Sequence, residues 1–225
     1  MNRHRSVCVA LGAVLVLACA SAALAATVTP PPGTPDLAAM ALQASDLAPG
    51  AAAGQQGYVT PPTGFTAEYQ GGFKTALTPD GISYYSISDF VAIAPSAVTV
   101  SAFFADETKL FRSKAGHKLL DRAIIAAAGK KTQLKARDIK YGDVGGIGVG
   151  QSSFLETIGL SIKRVSVHED VVLFQQGTVY GFLTMAAKPG SKIPLSDADS
   201  LANAIDTHIN SVLGSTGSTG PTGTT

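Results

Sequence analysis

The chain has 225 residues, of which 45% are hydrophobic and 15% are charged, and its 17 Lys plus Arg nearly balance its 16 Asp plus Glu. The charged fraction lies well below the roughly 25% of an average soluble domain, which argues against a disordered polyelectrolyte. The near-zero net charge argues against a globally basic nucleic-acid-binding protein, and the length fits one sizeable domain or two small ones.

The N-terminus has the layout of a secretory signal peptide. Residues 1–25 begin with a basic stretch, continue with an apolar run from Val7 to Ala18 and end in small residues. We therefore predict cleavage after Ala25 and a secreted or extracytoplasmic mature protein. As an alternative, residues 16–19 resemble the lipobox of bacterial lipoproteins, which would place a lipid anchor on Cys19. Small apolar residues follow Cys19 where a tether is usually polar, and this favours cleavage after Ala25.

Cleavage after Ala25 changes the chemistry of the mature chain. Both cysteines, Cys8 and Cys19, lie before that position, so no thiol remains for a disulfide or a metal site. Arg3 and Arg5 are also removed, which leaves 15 Lys plus Arg against 16 Asp plus Glu.

Composition divides the rest of the chain into a domain and two tails. Residues 26–35 are rich in proline and predict an extended spacer. Residues 214–225 contain only Gly, Ser, Thr and Pro, which predicts a disordered tail. Residues 36–213 contain no internal repeat and are predicted to form a single domain.

The first half of the domain predicts a helix followed by two strands. Thr34 as cap and Pro35 as first residue predict a short helix that ends near residues 46–50. Alternating apolar residues from Phe65 to Phe73 predict a strand. A turn at residues 79–81 leads to a second strand over residues 82–94, with a bulge near residues 84–85.

The second half predicts two helices, further strands and a final helix. Pro95-Ser96 opens one helix, and Ser113 caps another that ends at Gly129. Residues 161–187 predict two or three strands, with a turn near residues 176–177 and, as an alternative, another near residues 169–170. The final helix follows Ser196 and ends at Gly214. This order indicates an α+β domain, a mainly antiparallel sheet with helices packed on one face.

Several phrases of the sequence resemble known proteins. MALQASDLAPG at 40–50, GYV at 57–59, AEYQGGF at 67–73 and the closing strand-strand-helix unit resemble uncharacterised secreted proteins of actinobacteria. More distantly, the layout is similar to the extracellular sensor domains of mycobacterial receptor-type serine/threonine kinases and to related envelope lipoproteins. The resemblance covers most of residues 36–213. It implies an envelope location and the α+β fold, and it brings no catalytic motif.

The histidines give no metal motif. After cleavage only His117, His168 and His208 remain. His168 begins an H-E-x-x-H pattern, but Val172 stands where the second histidine belongs. His208 lies between apolar positions of the final helix, which is typical of a core boundary. We therefore predict no metal site and no cofactor.

The serine and glycine motifs are incomplete. Residues 150–154 match the first half of the nucleophile motif G-x-S-x-G and depart from it at Phe154, so we predict that the protein is not an enzyme. The glycine cluster at 145–150 is neither a dinucleotide loop nor a P-loop. It predicts a bulged or tightly packed strand, with a ligand-facing loop as the alternative.

Positive charge is concentrated in one segment. Residues 109–140 hold ten Lys plus Arg and two acids, a net charge of +8. Three of these cations recur every fourth residue and form a strip on the predicted second helix. The predicted binding residues for an anionic surface are Lys114, Lys118, Arg122, Lys130, Lys131, Lys135, Arg137 and Lys140.

The positive charge of this segment, its location outside the cell and its lack of aromatic residues limit its possible partners. Outside the cell, the predicted partners are anionic lipid, an acidic cell-wall polymer or an acidic protein. No aromatic residue lies between Phe111 and Tyr141, which disfavours nucleic acid. The alternative is a solvated helix face whose charge is balanced by acids elsewhere in the fold.

Together these patterns predict a non-catalytic, secreted or envelope-associated module for binding or sensing. The alternative is a carrier that holds a small apolar ligand or lipid in a pocket between sheet and helices. Four phenylalanines are the candidate pocket lining, although ordinary core positions also explain them: Phe103, Phe104, Phe111 and Phe174.

Overall fold

The structure is a computed structural model that describes residues 28–74, 84–128, 133–162, 165–187 and 189–216. Several sequence-based predictions lie outside these ranges. They concern the signal peptide with its cleavage site, Cys19, the turn at 79–81, Gly129, Lys130, Lys131 and the tail beyond residue 216.

The described strands form one antiparallel sheet. Its members are β1 (Ala52–Ala53), β2 (Gly57–Val59), β3 (Ala67–Lys74), β4 (Tyr84–Ile93), β5 (Ile139–Gly145), β6 (Ser152–Ile162), β7 (Val165–Gln176) and β8 (Val179–Ala187). The spatial order is β1-β3-β4-β8-β7-β6-β5, and β2 pairs with β3 beside β1. The central strands β7 and β8 contribute core residues to both faces of the sheet.

Four helices accompany the sheet in the described chain. They are α1 (Leu37–Met40), α2 (Ala97–Arg112), α3 (Lys114–Ala128) and α4 (Leu195–Thr216). Short 3-10 turns occupy Ala44–Asp46 and Ala136–Asp138. Of the helices in the described residues, each is too short or too polar to span a bilayer.

The helices cover both faces of the sheet. Side chains of β7 alternate, so that Val171 and Leu173 contact the layer of α2 and α3, whereas Val172 and Phe174 contact the layer of α1 and α4. We call these the hairpin face and the terminal face. The predicted α+β class with an antiparallel sheet in a single domain is confirmed, but the expected packing on one face is wrong. Because β8 is buried at every position, a single helical layer would leave its second apolar side in water.

The predicted helix caps are confirmed for α2 and α3 and wrong for α1. The Ser96 Oγ accepts a hydrogen bond from the Thr99 amide at 3.2 Å, and the Ser113 Oγ accepts one from the Gly116 amide at 3.0 Å. Asp36, not Thr34, caps α1, since its Oδ1 accepts from the Ala39 amide. Helix α1 ends at Met40 rather than near residues 46–50.

Several strand predictions need correction. The bulge near residues 84–85 and the turn near residues 176–177 are confirmed. The alternative turn near residues 169–170 is wrong, because β7 runs through it and its carboxyl groups are buried in the sheet. Strand β5 and most of β6 were not predicted. Helix α4 also continues through Gly214, which lacks the positive φ of a left-handed glycine cap.

Candidate anionic-surface site

The corner between α2 and α3 brings basic residues together. Ser113 alone separates the two helices, and a Cβ built on Gly116 would overlap the carbonyl oxygen of Leu110. Only glycine permits this close approach. The corner thereby sets Lys109 and Arg112, in the last turn of α2, beside the beginning of α3.

Three cations form the strip on the outer side of α3. Lys114, Lys118 and Arg122 are exposed, whereas the opposite side of the helix, with Leu120 and Ile124, is buried against the sheet. No carboxylate within the described ranges lies within 4.0 Å of these three side chains. Their charge is therefore not balanced by ion pairs in this part of the chain.

The one acid of α3 is engaged on the sheet side. Tyr141, on β5, donates a hydrogen bond from its hydroxyl to the Asp121 Oδ1 at 2.9 Å. Burial and this hydrogen bond raise the pKa of Tyr141. Asp121 is thus held by β5 rather than by the cations beside it on α3.

His117 fixes α3 to the sheet at the level of the strip. Its ring stacks on Tyr141 with centroids 4.0 Å apart and planes 7° apart. Its Nε2 lies 3.7 Å from the Oε1 of the buried Glu156, on β6. The inward contacts of His117 leave Lys114 and Lys118, on either side of it in sequence, directed to solvent.

The other predicted cations lie apart from the strip. Lys135 and Arg137 are exposed around the 3-10 turn, and the Arg137 Nε lies 3.9 Å from the Asp138 Oδ1. Lys140 is on the terminal face, opposite Gly159, because its neighbours Ile139 and Tyr141 in β5 occupy the hairpin face. Lys140 therefore lies away from the α3 strip, and its role in binding an anionic surface stays a prediction.

A groove borders the strip at the end of α2. Its volume is about 460 Å³, and its lining consists of Phe104, Ala105, Thr108, Lys109, Arg112 and Ser113. The Arg112 guanidinium lies 4.7 Å from the centre of the Phe154 ring. Lys109 and Arg112 were not among the predicted site residues, although they open the same charge-rich segment of the sequence.

The four candidate phenylalanines of the carrier alternative do not line a common pocket. Phe174 lies on the terminal face, and the other three belong to the hairpin face. Phe111 is fully buried, and Phe103 packs edge-on against Phe65 and Tyr180. Phe111 and Phe174 are core positions and Phe104 is half-buried, so the four side chains do not form one pocket lining.

The remaining histidines have structural positions. The His208 Nδ1 lies 3.1 Å from the Ala41 carbonyl oxygen, and its Nε2 lies 3.6 Å from the Asp46 Oδ1, so it joins α4 to the segment after α1. His168 is half-buried within β7. The described residues contain no group of three metal-binding side chains.

The glycine cluster ends β5 with a bulge. The register of β5 against β6 shifts between Asp143 and Gly145, which confirms the predicted bulge. Gly150 then adopts a positive φ of 60°, and a Cβ on it would overlap the Gln175 carbonyl oxygen. The cluster thus turns the chain tightly into β6.

Buried glutamates on the hairpin face were missed by the sequence analysis. Burial raises the pKa of Glu68 to about 7 and, with a smaller repulsion from Asp106, raises that of Glu107 to about 8. Glu169 is fully buried, its carboxyl oxygens have no hydrogen-bond partner within the described chain, and its pKa is raised well above the usual value. Interleaved apolar neighbours are the only sequence signal that could have indicated their burial.

Comparison with known proteins gives a likeness of fold. Neither a protein-family model nor a curated protein sequence matches the chain. The structure is similar to the extracellular domain of PknH from Mycobacterium tuberculosis, with a TM-score of 0.52 and 13% identity over 77% of this chain and 94% of that chain. This agrees, for the fold alone, with the more distant of the two resemblances noted in the sequence.

Proposed function

We propose that the protein is a non-catalytic extracytoplasmic module, sensor-like in fold, that binds an anionic surface through Lys109, Lys114, Lys118 and Arg122. One observation carries the proposal: these adjacent cations are exposed and have no carboxylate within 4.0 Å in the described chain. Each Lys or Arg near an anionic membrane contributes on the order of 1 kcal/mol to binding.

The position of Lys114 adds support for a binding role. It begins α3, where the helix dipole favours acids, and the first turn of α3 contains none. A cation at the beginning of a helix, against the preference of the helix dipole and without a compensating contact, is typical of a functional surface. Lys109 and Arg112, by contrast, end α2, where the dipole favours cations.

The extracytoplasmic location rests on two other observations. The first 25 residues have the layout of a signal peptide, and the fold is similar to that of an extracellular domain. Within this location, anionic lipid, an acidic wall polymer and an acidic protein remain the partner classes that fit the strip.

Charge reversal tests the proposal. The variant Lys114→Glu, Lys118→Glu, Arg122→Glu should lose about 100-fold or more in retention on vesicles that contain phosphatidylglycerol and on an acidic wall polymer. Its fold should persist, because all three positions are exposed and glutamate suits position 114 in the first turn of α3. Circular dichroism and cosedimentation measure the two properties.

A second triple variant provides the matched control. Lys135→Glu, Arg137→Glu, Lys140→Glu makes the same change in net charge away from the α3 strip, and it should reduce retention much less. Retention of the α3 variant that equals the original and is insensitive to salt would contradict the proposal.

A further inference from the structure

The outer side of α2 changes from apolar to basic along its length. Ala97, Val98 and Ala102 are exposed near its beginning, with Val98 exposed at 78%. The basic residues Lys109 and Arg112 occupy its last turn. An anionic amphiphile has the same division between an apolar chain and a charged head.

The groove lies at this transition. Phe104 and Ala105 line one part of it, and Lys109 and Arg112 line the other. Its volume is about 460 Å³, and it is open to solvent on the outer side of α2. Both basic residues are exposed, and the Arg112 guanidinium also lies 4.7 Å from the centre of the Phe154 ring. Long basic side chains of this kind cover apolar surface with their aliphatic stems.

We propose that this groove receives an acyl chain of an anionic phospholipid, whose phosphate is bound by Lys109 and Arg112. The inference rests on the proposed function and names lipid as the anionic surface. Charge complementarity favours an anionic headgroup, because the two cations Lys109 and Arg112 outnumber Asp106, the single exposed acid on α2. The apolar lining selects lipid over an acidic polysaccharide, which has no chain to fill the groove.

A tryptophan introduced into the groove tests the inference. The natural chain contains no Trp, so Ala105→Trp reports on its own surroundings. The control Ser211→Trp places the same probe at an exposed position of α4, on the other side of the sheet. Both full mature chains are mixed with phosphatidylglycerol vesicles whose acyl chains carry bromine, and cosedimentation is measured in the same samples.

We expect the fluorescence of Ala105→Trp to shift to shorter wavelength and to be quenched at least twofold, whereas that of Ser211→Trp changes little. Retention on the vesicles without quenching of Ala105→Trp would overturn the groove inference and leave the proposed function intact. Retention on an acidic polymer or protein but not on vesicles would also overturn the inference. The loss of retention on every anionic surface would remove the proposed function together with it.

Discussion

Gly116 in α3 packs directly on the carbonyl oxygen of Leu110 in α2, so closely that a Cβ at Gly116 would overlap that oxygen. The obstacle is backbone, which cannot rotate away as a side chain can. We expect Gly116→Ala to lower the free energy of unfolding by more than about 2 kcal/mol, because the corner must open to admit the methyl group. Urea denaturation measures the change.

Gly214 provides the matched control for this substitution. It also lies in a helix, and a Cβ built there meets no atom within 4 Å. Gly214→Ala should therefore be neutral or stabilise the protein by up to about 1 kcal/mol, since alanine has the higher helix propensity. If both substitutions had the same effect, the corner would not depend on close contact at Gly116.

Local sequence chemistry predicted the elements whose signals are local. Ser96 and Ser113 cap helices as expected because the capping bond spans only three residues. Strand β6 was missed because Glu156 interrupts its apolar pattern with a carboxyl group that is buried in the fold. No residue near Gly116 in sequence distinguishes it from an ordinary helix-weakening glycine.

In the candidate site, too, the sequence predicts what depends on neighbouring residues and misses what depends on tertiary contacts. The repeat of Lys114, Lys118 and Arg122 follows from helical periodicity, so the sequence predicted the strip correctly as a helix face. The place of Lys140 on the sheet face away from α3 depends on the register of β5, which cannot be read from composition. The addition of Lys109 required the α2–α3 corner, which is a tertiary contact.

A second pair of glycines, Gly71 and Gly72, tests how much the buried carboxyl group of Asp89 contributes to stability. Its Oδ2 accepts a hydrogen bond from the Leu42 amide at 2.9 Å, which joins the segment after α1 to β4. Gly71 lies on β3 directly opposite Asp89 and leaves the space for this carboxyl group. A Cβ at Gly71 would overlap the Asp89 Oδ1. We expect Gly71→Ala to lower the free energy of unfolding by about 2 kcal/mol or more, measured by chemical denaturation.

The adjacent Gly72 is the control for Gly71. It lies in the same strand, and the nearest atom to its added Cβ is the Ile87 carbonyl oxygen at 3.4 Å, an ordinary contact. Gly72→Ala should cost less than about 1 kcal/mol. An equal loss in both variants would indicate a general intolerance of β3 rather than a contact with Asp89.

The buried Glu107 predicts that stability falls as pH rises. Burial raises its pKa from 4.5 to about 8, so between these values the folded state holds a proton that the unfolded state has lost. This contribution is fully present below pH 4.5 and is lost as pH rises through about 8. Denaturation of Glu107→Gln between about pH 5.5 and 7.5 should show a pH slope that is less negative by about 1 kcal/mol per unit.

Asp106→Asn serves as the control for Glu107→Gln. Asp106 is exposed and adds only the smaller repulsion to the pKa of Glu107, so its removal should change the slope far less. An unchanged slope in Glu107→Gln would show that Glu107 does not gain its proton on folding. Glu68 and Glu169, whose pKa values are also raised by burial, should preserve part of the slope in both variants.

The contact between Tyr141 and Asp121 predicts a measurable coupling between β5 and α3. Tyr141→Phe removes the hydroxyl that donates to the Asp121 Oδ1 but keeps the ring that stacks on His117. We expect Tyr141→Phe to lower the free energy of unfolding by about 1 kcal/mol. A double-mutant cycle with Asp121→Asn should give a coupling of about 0.5–1.5 kcal/mol.

Tyr69→Phe is the control for Tyr141→Phe. The Tyr69 hydroxyl makes no hydrogen bond in the described residues, so its removal should cost less than about 0.5 kcal/mol. A coupling near zero would mean that stacking on His117 alone holds β5 against α3.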